Sequence, residues 1–334
     1  METYLETVKD ILDNGHVKQD RTGVGTISKF GYMERYCLKN GKLPLVTTKS
    51  VHLPTLIHEL LWMLTGDTDV KYLIDNGVRI WNEWTDPNTR TYDANGKLTG
   101  GTLQKIYGQQ WRNLEDTRIV EAGVDLTEFQ AENYNLEGAL ADGRKVITRH
   151  IDQIENIINQ LRDDPDSRRI LLSAWNVADI DQSSLPPCHL LFQFYTRELS
   201  LEERNSYMRI PNVTITHADL DDLDVPKRTL SVLMYMRSSD TFLGKPYNIG
   251  FYSLLVHALA KQLNYEADEF IIVSGDSHLY LNHLDQAKEQ ISRTPLEAPT
   301  VTVSECNDIR QLVYEDFTIN DYEHLPHIKA TVAV

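Results

Sequence analysis

The stretch LSVLMYMRSSDTFLGKPYNIGFYSLLVHALAKQLNYEADEFIIVSG (230–275) decides the architecture of the chain. Its two ends, LSVLMYMRS and EFIIVSG, are typical of buried strands because apolar residues run almost continuously through them. Between them, NIGFYSLLVHALAKQLN is apolar nearly all round, which predicts a helix buried in the core. Two buried strands with a core helix between them indicate a mixed α/β domain.

The rest of the chain adds elements of both kinds. The first residues predict a helix that ends near Asn14, and TISKFGYMERYCL (26–38) alternates as a strand does. LPTLIHELLWML (53–64) has helical periodicity, with proline in its first turn and Gly66 just past its end. RHIDQIENIINQLRDDP predicts an amphipathic helix, and RRILLSAW and HLLFQFY predict buried strands. No repeat or low-complexity linker interrupts the pattern, so we predict one domain over residues 1–334.

Two segments differ from this core in composition. Residues 113–148 contain eight acidic and three basic side chains, three glycines and only scattered large apolar residues. Residues 198–228 begin with the helical pattern LSLEERNSYM and end with the acidic HADLDDLDVPKR. We interpret both as surface insertions that leave the core intact.

The overall charge and the cysteines restrict the classes of function. The 33 Lys+Arg against 49 Asp+Glu give a net charge of −16, which disfavours a nucleic-acid partner and means that an anionic substrate needs locally concentrated arginines. Three scattered cysteines do not make a disulfide framework or a CxxC metal site. With no apolar run of membrane length, we expect no membrane partner and a cytoplasmic location, which for a viral gene product is the host cytoplasm.

Several polar groups follow the predicted strands. In RSSDTFLGKPYNIGFYS (237–253), Arg237 and Ser238 could bind an anion and Asn248 could read the edge of a heterocycle such as uracil, because an amide both donates and accepts. Asp240 or Asn248 could equally cap a helix. In DPDSRRI (164–170), Arg168 and Arg169 are either a solvated pair bridged to neighbouring aspartates or a bidentate phosphate site.

Other candidates are weaker individually. Arg21 lies in the glycine-rich QDRTGVGT, which is too short for a phosphate loop. In GDSHLYLNH, His278 and Tyr280 lie on one side of a strand and fit a sugar hydroxyl, whereas the spacing of His278 and His283 fits a metal site poorly, so no metal is expected. The aromatic residues Trp81, Trp84 and Tyr107 have two possible roles: they pack in the core, or they form a flat surface that binds a ligand.

Glu59 and Cys188 are each surrounded by apolar residues in the sequence. Glu59 lies on the apolar face of a predicted helix, where burial raises the pKa of a carboxyl group and makes it a candidate for proton transfer. Cys188 lies in SLPPCHLLFQFY (184–195) at the start of a strand, and by itself it is more typical of a buried core thiol than of a nucleophile.

Taken together, these segments resemble the thymidylate synthase family, and the resemblance covers most of the chain outside the two insertions. The matching segments occur in the family's order: QDRTGVGT, PLVTTKSVHL, IHELLWMLTGDT, IW-x-EW, YGQQWR, RHIDQI, DPDSRRI-x-x-SAWN, PPCH, RS-x-D-x-FLG-x-P-x-NI, GDSHLY-x-NH and HIKATVAV. The resemblance implies a large mixed β-sheet packed against helices, with one face of the sheet forming the interface of a homodimer.

The resemblance also implies an activity: reductive methylation of deoxyuridylate (dUMP) to thymidylate (dTMP), with 5,10-methylene-tetrahydrofolate donating the carbon and the hydride. Cys188 is then the nucleophile that adds to C6 of the pyrimidine, and nearby arginines are expected to lower the pKa of its thiol. The catalytic residues implied by the resemblance are Cys188, Glu59, Asn248, Tyr107, His189 and Asp240.

The binding residues follow from the same resemblance. For dUMP they are Arg21, Arg237, Ser238, Asn248, His278 and Tyr280, with Arg168 and Arg169 donated by the partner subunit. For the folate they are Lys49, Trp81, Trp84, Asp240, Leu243, Gly244, Tyr247, Val332, Ala333 and Val334. Lys49 resembles the cation that faces the glutamyl tail, and the C-terminal residues resemble a segment that closes over the site.

The chain departs from the commonest family pattern on the folate side. Met236 precedes the RS pair in place of glutamine, Asn82 replaces an aspartate, Lys245 occupies the variable position of FLG-x-P, and the tail reads KATVAV. The alternative function is therefore a dUMP hydroxymethylase, in which water instead of hydride captures the methylene intermediate and 5-hydroxymethyl-dUMP and tetrahydrofolate are released. Asn248 argues against a deoxycytidylate enzyme, whose relatives carry aspartate there.

Two hypotheses from other classes are less favoured. A catalytically silent binding or regulatory relative should have lost Cys188, Glu59, Asn248 or the arginines, and all are present. A Cys–His hydrolase is disfavoured because adjacent residues of a strand point to opposite faces.

Overall fold

Two long parallel strands and the helix between them form the centre of the computed structural model, which describes residues 1–207 and 215–333. Within those residues the α-helices are α1 (Glu2–Asn14), α2 (Leu53–Thr65), α3 (Lys71–Asp75), α4 (Tyr107–Arg112), α5 (Thr127–Ala131), α6 (Gln153–Asp163), α7 (Leu201–Ser206), α8 (His217–Asp222), α9 (Gly244–Leu263) and α10 (Leu284–Ser292). The strands are β1 (His16–Lys18), β2 (Thr26–Cys37), β3 (Thr91–Tyr92), β4 (Leu98–Gly100), β5 (Leu114–Val120), β6 (Asn135–Ala139), β7 (Lys145–Ile151), β8 (Leu171–Ser173), β9 (His189–Glu198), β10 (Arg228–Asp240), β11 (Glu266–Tyr280), β12 (Thr300–Val303) and β13 (Phe317–Asn320).

The large sheet has six strands in the order β1-β2-β11-β10-β9-β8. Strands β10 and β11 are parallel and the other neighbours are antiparallel, so the sheet is mixed. Helix α9 connects the parallel pair and is buried along most of its length, as a helix that is apolar all round requires. The predicted mixed α/β fold is confirmed.

Local sequence signals explain the ends of the helices. The His52 side chain accepts a hydrogen bond from the Thr55 amide at the start of α2, and Gly66 ends that helix with φ of 80°, a conformation that glycine adopts without strain. Asp152 caps α6 by accepting from the Glu155 amide.

Some boundaries differ from the sequence predictions. Helix α9 begins at Gly244 rather than Asn248, and the Asp240 carboxylate accepts from the Phe242 and Leu243 amides (3.1 and 3.0 Å) in the turn just before the helix. GDSHLY belongs to β11 itself rather than to a segment after it, because pairing with β2 continues as far as Tyr280.

One face of the large sheet carries exposed apolar side chains. Met33 is 61% exposed on β2, Tyr195 is 66% exposed on β9 and Leu171 is 43% exposed on β8. The helices α1 and α9 pack against the opposite face. An apolar sheet surface of this kind is typical of a protein–protein interface.

The two predicted insertions lie at the edges of this core. Residues 114–151 supply a separate antiparallel sheet in the order β5-β7-β6. The second segment connects β9 to β10, which pair up to Glu198 opposite Arg228, and contains α7 and α8. Residues 208–214 of that segment lie outside the described part. Their status as insertions stays a prediction.

Within the described ranges, none of the helices combines the length and the apolar character needed to span a bilayer.

Candidate active site

The predicted site residues gather where β10 and β11 end and α9 begins. Arg237 and Ser238 lie near the end of β10, and His278 pairs with Asp240 across the parallel strands. The carboxyl ends of parallel strands are a frequent ligand-binding position because the loops and the helix N-terminus open there. The topology therefore brings together residues, such as Asp240 and His278, that are 38 positions apart in sequence.

Cys188 lies immediately before β9, beside Arg237. The Arg237 amide donates to the Cys188 carbonyl (2.8 Å), and its guanidinium Nη2 lies 3.8 Å from Cys188 Sγ. The same guanidinium donates to the carbonyls of Pro187 (2.8 Å) and Pro186 (2.7 Å), so it holds the segment that presents the thiol. A β-bulge at the start of β9, where pairing with β10 shifts by one residue, sets this local geometry.

The Arg237 guanidinium lowers the pKa of the Cys188 thiol as expected, but in this chain by itself the net shift is upward. Burial raises the pKa of the thiol above its usual value, and the Arg237 guanidinium lowers it by less. The sequence placed a cation near the thiol correctly, but it did not show that the thiol is largely desolvated.

Tyr107 and His189 lie beside the thiol. The Cys188 amide donates to the Tyr107 hydroxyl (2.6 Å), and the Tyr107 ring stacks on His189 with centroids 3.9 Å apart. His189 Nδ1 lies 2.6 Å from the Tyr252 hydroxyl, and burial lowers the His189 pKa to about 3, so that the imidazole is neutral near pH 7.

Glu59 has the raised pKa that its apolar surroundings predicted. Burial raises the pKa of Glu59 to about 7, and the hydrogen bond from Trp81 Nε1 (2.9 Å) opposes that shift in part. A carboxyl group with a pKa near 7 can both donate and accept a proton at neutral pH, which is the property that a general acid–base needs.

Asn248 projects from the second turn of α9. Its Oδ1 is buried and has no hydrogen-bond partner among the described residues. The same atom would lie 3.9 Å from a Cβ added at Gly244, which places it beside the turn that follows Asp240. Buried amide oxygens are almost always paired, so an unpaired one at a site indicates a place for a ligand group.

His278 and Tyr280 lie side by side near the end of β11, with their rings in an edge-on contact at 5.2 Å. Asp276 Oδ1 lies 3.3 Å from His278 Nδ1, and Asp276 also pairs with Lys18 on β1 (2.7 Å). Burial raises the Tyr280 pKa to about 12. The Leu281 amide donates to the Gly25 carbonyl (3.0 Å), so the loop that contains Arg21 lies beside the end of β11.

Most residues expected to contact a folate surround α9 and α2. Leu243 and Tyr247 are partly buried at the start of α9. The rings of Trp84 and Trp81 lie edge-on, with their centres 6.0 Å apart. Val332 is 56% exposed in the C-terminal tail, next to the partly buried Ala333, and the His283 imidazole holds the tail through the Thr331 carbonyl (2.7 Å). Val334 lies outside the described residues.

Lys49 is placed differently from a surface cation. It is only 5% exposed, its Nζ donates to the Phe242 carbonyl (2.5 Å), and it lies 3.6 Å from the centre of the Phe242 ring. Burial lowers its pKa to about 8, while Asp240 opposes the shift. The contact ties Lys49 to the turn before α9, so its expected contact with a glutamyl tail stays a prediction.

Arg168 and Arg169 do not join this cluster. Both are exposed in the loop between α6 and β8, and Arg168 lines a cleft of about 810 Å³ on the face of the large sheet that carries Tyr195. The alternative that nearby aspartates bridge them is wrong for Asp166, which pairs with Arg228 instead. Their contribution to a partner subunit's site stays a prediction.

The structure adds residues that the sequence did not single out. Tyr252 bonds to His189, and the Trp175 ring lies 5.7 Å from the Arg237 guanidinium. Tyr252 could have been found from the sequence, because it lies four residues after Asn248 on α9 and residues four apart share a helix face. Trp175 had no such signal, because its proximity depends on the packing of the loop after β8. Within the described ranges, no group of three or more His, Cys, Asp or Glu side chains is arranged to hold a metal ion.

Comparison with known proteins agrees with this geometry. A family model described as thymidylate synthase matches residues 2–334. A curated protein from Mycoplasma mobile named thymidylate synthase is 40% identical over 352 aligned residues, which cover 100% of both chains. The chain therefore belongs to the thymidylate synthase family, and it is an enzyme of that family.

Proposed function

We propose that this methyltransferase converts dUMP to dTMP with 5,10-methylene-tetrahydrofolate as the donor of carbon and hydride. The observation that carries the proposal is the position of Cys188 Sγ, 3.8 Å from the Arg237 guanidinium, at the carboxyl ends of the parallel strands of a chain of this family. The unpaired Oδ1 of Asn248 supports a pyrimidine ligand, because the uracil edge supplies the donor that this oxygen lacks.

The covalent step uses the Cys188 thiolate. The thiol proton leaves to solvent, the sulfur bonds to C6 of uracil, and the electron pair of the C5–C6 double bond moves towards C5 and O4. Carbon C5 thereby becomes nucleophilic. The same carbon–sulfur bond breaks when the product is released, so that the thiolate is regenerated.

The surrounding residues have roles that follow from their contacts. Glu59, with a pKa of about 7, moves protons at O4 and C5, and the neutral His189 and Tyr107 complete the polar network beside Cys188. Asn248 orients the base, and His278 and Tyr280 bind the sugar hydroxyl. Arg21, Arg237 and Ser238 bind the phosphate.

The residues also fit a folate. The edge-on pair of Trp81 and Trp84 offers aromatic surface, and Asp240 and Gly244 form a tight turn at the start of α9. When bound, the folate supplies the one-carbon unit and the hydride. Trp81, which is 8% exposed, and the C-terminal tail exclude water from the reacting carbon.

Product analysis tests the proposal directly. We expect dTMP and dihydrofolate when the protein is incubated with dUMP and methylene-tetrahydrofolate and both products are identified by mass spectrometry. Hydroxymethyl-dUMP with tetrahydrofolate would show instead that water captures the intermediate. No change in either substrate would contradict both activities.

Substitution of Asn248 tests the reading of the base. Asn248→Asp is expected to shift the ratio of kcat/KM values by about 10²-fold from dUMP towards deoxycytidylate, because a protonated carboxyl or carboxylate suits the amino edge of cytosine better than an amide does. Steady-state kinetics with both nucleotides measures the shift. Asn248→Ala is the control, since it removes the contact for both bases. An unchanged ratio in Asn248→Asp would show that this residue does not read the base.

We also propose a homodimer in which Arg168 and Arg169 enter the partner's site. The support is that Met33, Tyr195 and Leu171 are exposed on one face of the large sheet and that Arg168 lines a cleft beside Tyr195. Four guanidinium groups would then converge on one phosphate in a protein with a net charge of −16.

Subunit mixing tests this sharing. A variant with both Arg168→Ala and Arg169→Ala and a Cys188→Ser variant should each be inactive alone. After unfolding and refolding together, they should recover about one quarter of the wild-type activity, because half of the dimers contain one intact site. No recovery in a mixture shown to be dimeric by gel filtration would place the arginines in their own subunit's site.

A cytoplasmic location, expected from the scattered cysteines, agrees with the three free thiols at Cys37, Cys188 and Cys306. It stays a prediction.

A further inference from the structure

A buried ion pair lies directly behind the expected folate contacts. Lys245 is the second residue of α9 and is 0% exposed, and its Nζ lies 2.5 Å from Oε2 of Glu34 on β2, which is 2% exposed. The Lys245 Nζ also lies 5.9 Å from the centre of the Tyr32 ring. Lys245 is the residue that departs from the family pattern in FLG-x-P, and the proposed chemistry assigns neither member of the pair a role.

A lysine is unfavourable at this position unless something compensates it. The first turn of a helix carries partial positive charge from its unpaired amides, and burial removes the hydration of the ammonium group. Burial accordingly lowers the Lys245 pKa, and the Glu34 carboxylate opposes that shift. An apolar residue would fill the same volume at no electrostatic cost, so the pair serves something other than packing alone.

The pair connects the start of α9 to the N-terminal helix. The Thr7 hydroxyl of α1 donates to Glu34 Oε1, and the Tyr4 hydroxyl of the same helix donates to the Thr241 carbonyl (2.9 Å). On the other side of the turn, Lys49 Nζ donates to the Phe242 carbonyl (2.5 Å). The turn 240–245 is thus held from α1, β2 and the segment before α2.

We propose that Lys245 and Glu34 are positioning residues for the folate half of the reaction: their ion pair holds the first turn of α9, and with it Leu243, Gly244 and Tyr247, in the geometry that binds the folate. The inference rests on the proposed function. It also gives the N-terminal helix α1 a role in the site, because Thr7 holds Glu34 in place.

Two double variants separate positioning from stability. Lys245→Met with Glu34→Met replaces the charges by apolar groups of similar length, which we expect to keep the free energy of unfolding close to that of wild type or to raise it. The KM for methylene-tetrahydrofolate is nevertheless expected to rise about tenfold, with kcat and the Kd for dUMP changed less than about threefold, because the ion pair that holds the turn is lost.

The second double variant restores the contact with the charges exchanged. In Lys245→Glu with Glu34→Lys, the carboxylate at the helix N-terminus is favourable and the Thr7 hydroxyl can accept from the new ammonium group. We expect the KM for the folate to return to within about threefold of wild type. Arg204→Met is the matched control: Arg204 is a 2% exposed cation that pairs with Asp221 away from the site, so its loss should lower stability without changing that KM.

Steady-state kinetics, dUMP binding by calorimetry and chemical denaturation measure these quantities. A double-methionine variant with an unchanged KM for the folate would overturn the positioning role, as would a charge-exchanged variant that folds but keeps the raised KM. If wild type itself does not turn over the folate, the proposed function fails and this inference fails with it. Turnover by wild type with no KM difference among the variants contradicts the positioning role alone.

Discussion

Cys188→Ser is expected to lose turnover by about 10⁴-fold or more, because a serine hydroxyl does not ionise near neutral pH and is a poor nucleophile towards C6 of the pyrimidine. The Kd for dUMP should change less than about tenfold, since the residues expected to bind the nucleotide lie on the Arg21 loop, β10, α9 and β11 rather than on the thiol. Single-turnover kinetics and calorimetry measure the two effects separately.

The wild-type protein should also form a covalent complex with a 5-fluoro-substituted dUMP in the presence of the folate, visible by mass spectrometry under denaturing conditions, and Cys188→Ser should not. Cys306→Ser is the control, because it removes a partly exposed free thiol elsewhere in the chain. Residual activity above about one per cent in Cys188→Ser would contradict the covalent mechanism, since a nucleophile is not dispensable to that extent.

Glu59→Gln is expected to lower kcat by about 10² to 10⁴-fold, the range typical of removing a general acid–base. The amide retains an oxygen that can accept from Trp81 Nε1, so the contact and the helix should survive while the titrating proton is lost. The pH profile of kcat/KM should also lose an ionisation near pH 7.

The same variant has an expected effect on stability that depends on pH. The pKa of Glu59 rises from 4.5 to about 7 on folding because the carboxyl group is buried. Between these values the folded chain keeps a proton that the unfolded chain has released, so increasing pH lowers the stability of wild type and not of Glu59→Gln. The variant should therefore gain about 2 to 3 kcal/mol over wild type between pH 5 and pH 8.

Chemical denaturation at both pH values measures this difference. Glu83→Gln is the matched control, because it makes the same change at an exposed carboxylate of the same region. If Glu59→Gln keeps full activity, Glu59 has no role in proton transfer. If its stability relative to wild type is independent of pH, the carboxyl group does not have the raised pKa.

The Lys245–Glu34 pair could not be predicted from the sequence motifs. In the sequence, Lys245 is a substitution at a variable position of FLG-x-P, and Glu34 is one polar residue in an alternating strand. Only the folded structure shows that the first turn of α9 and strand β2 bring the two charges within 2.5 Å of each other with almost no exposure. Two residues that are 211 positions apart carry no local signal of their contact.

Much of the fold was nevertheless predictable because its signals are local. Buried strands, the core helix α9, the capped helix α2 and the amphipathic helix α6 each follow from periodicity and end signals within a window of about twenty residues. The ordered motifs determined the family, because each is a continuous segment. For the same reason the sequence named Cys188, Glu59 and Asn248 as candidates.

The tertiary structure decided the electrostatic state of Cys188 and of Lys49, which the local sequence did not predict. A pKa depends on which groups surround a side chain and on how much water is removed, and both are set by elements distant in sequence. Burial therefore reversed the expected shift of Cys188 and enclosed Lys49 against Phe242, whereas for Glu59 it agreed with the local apolar pattern. The sequence determined which chemical groups the site contains, and packing determined their protonation, because desolvation is a property of the folded neighbourhood.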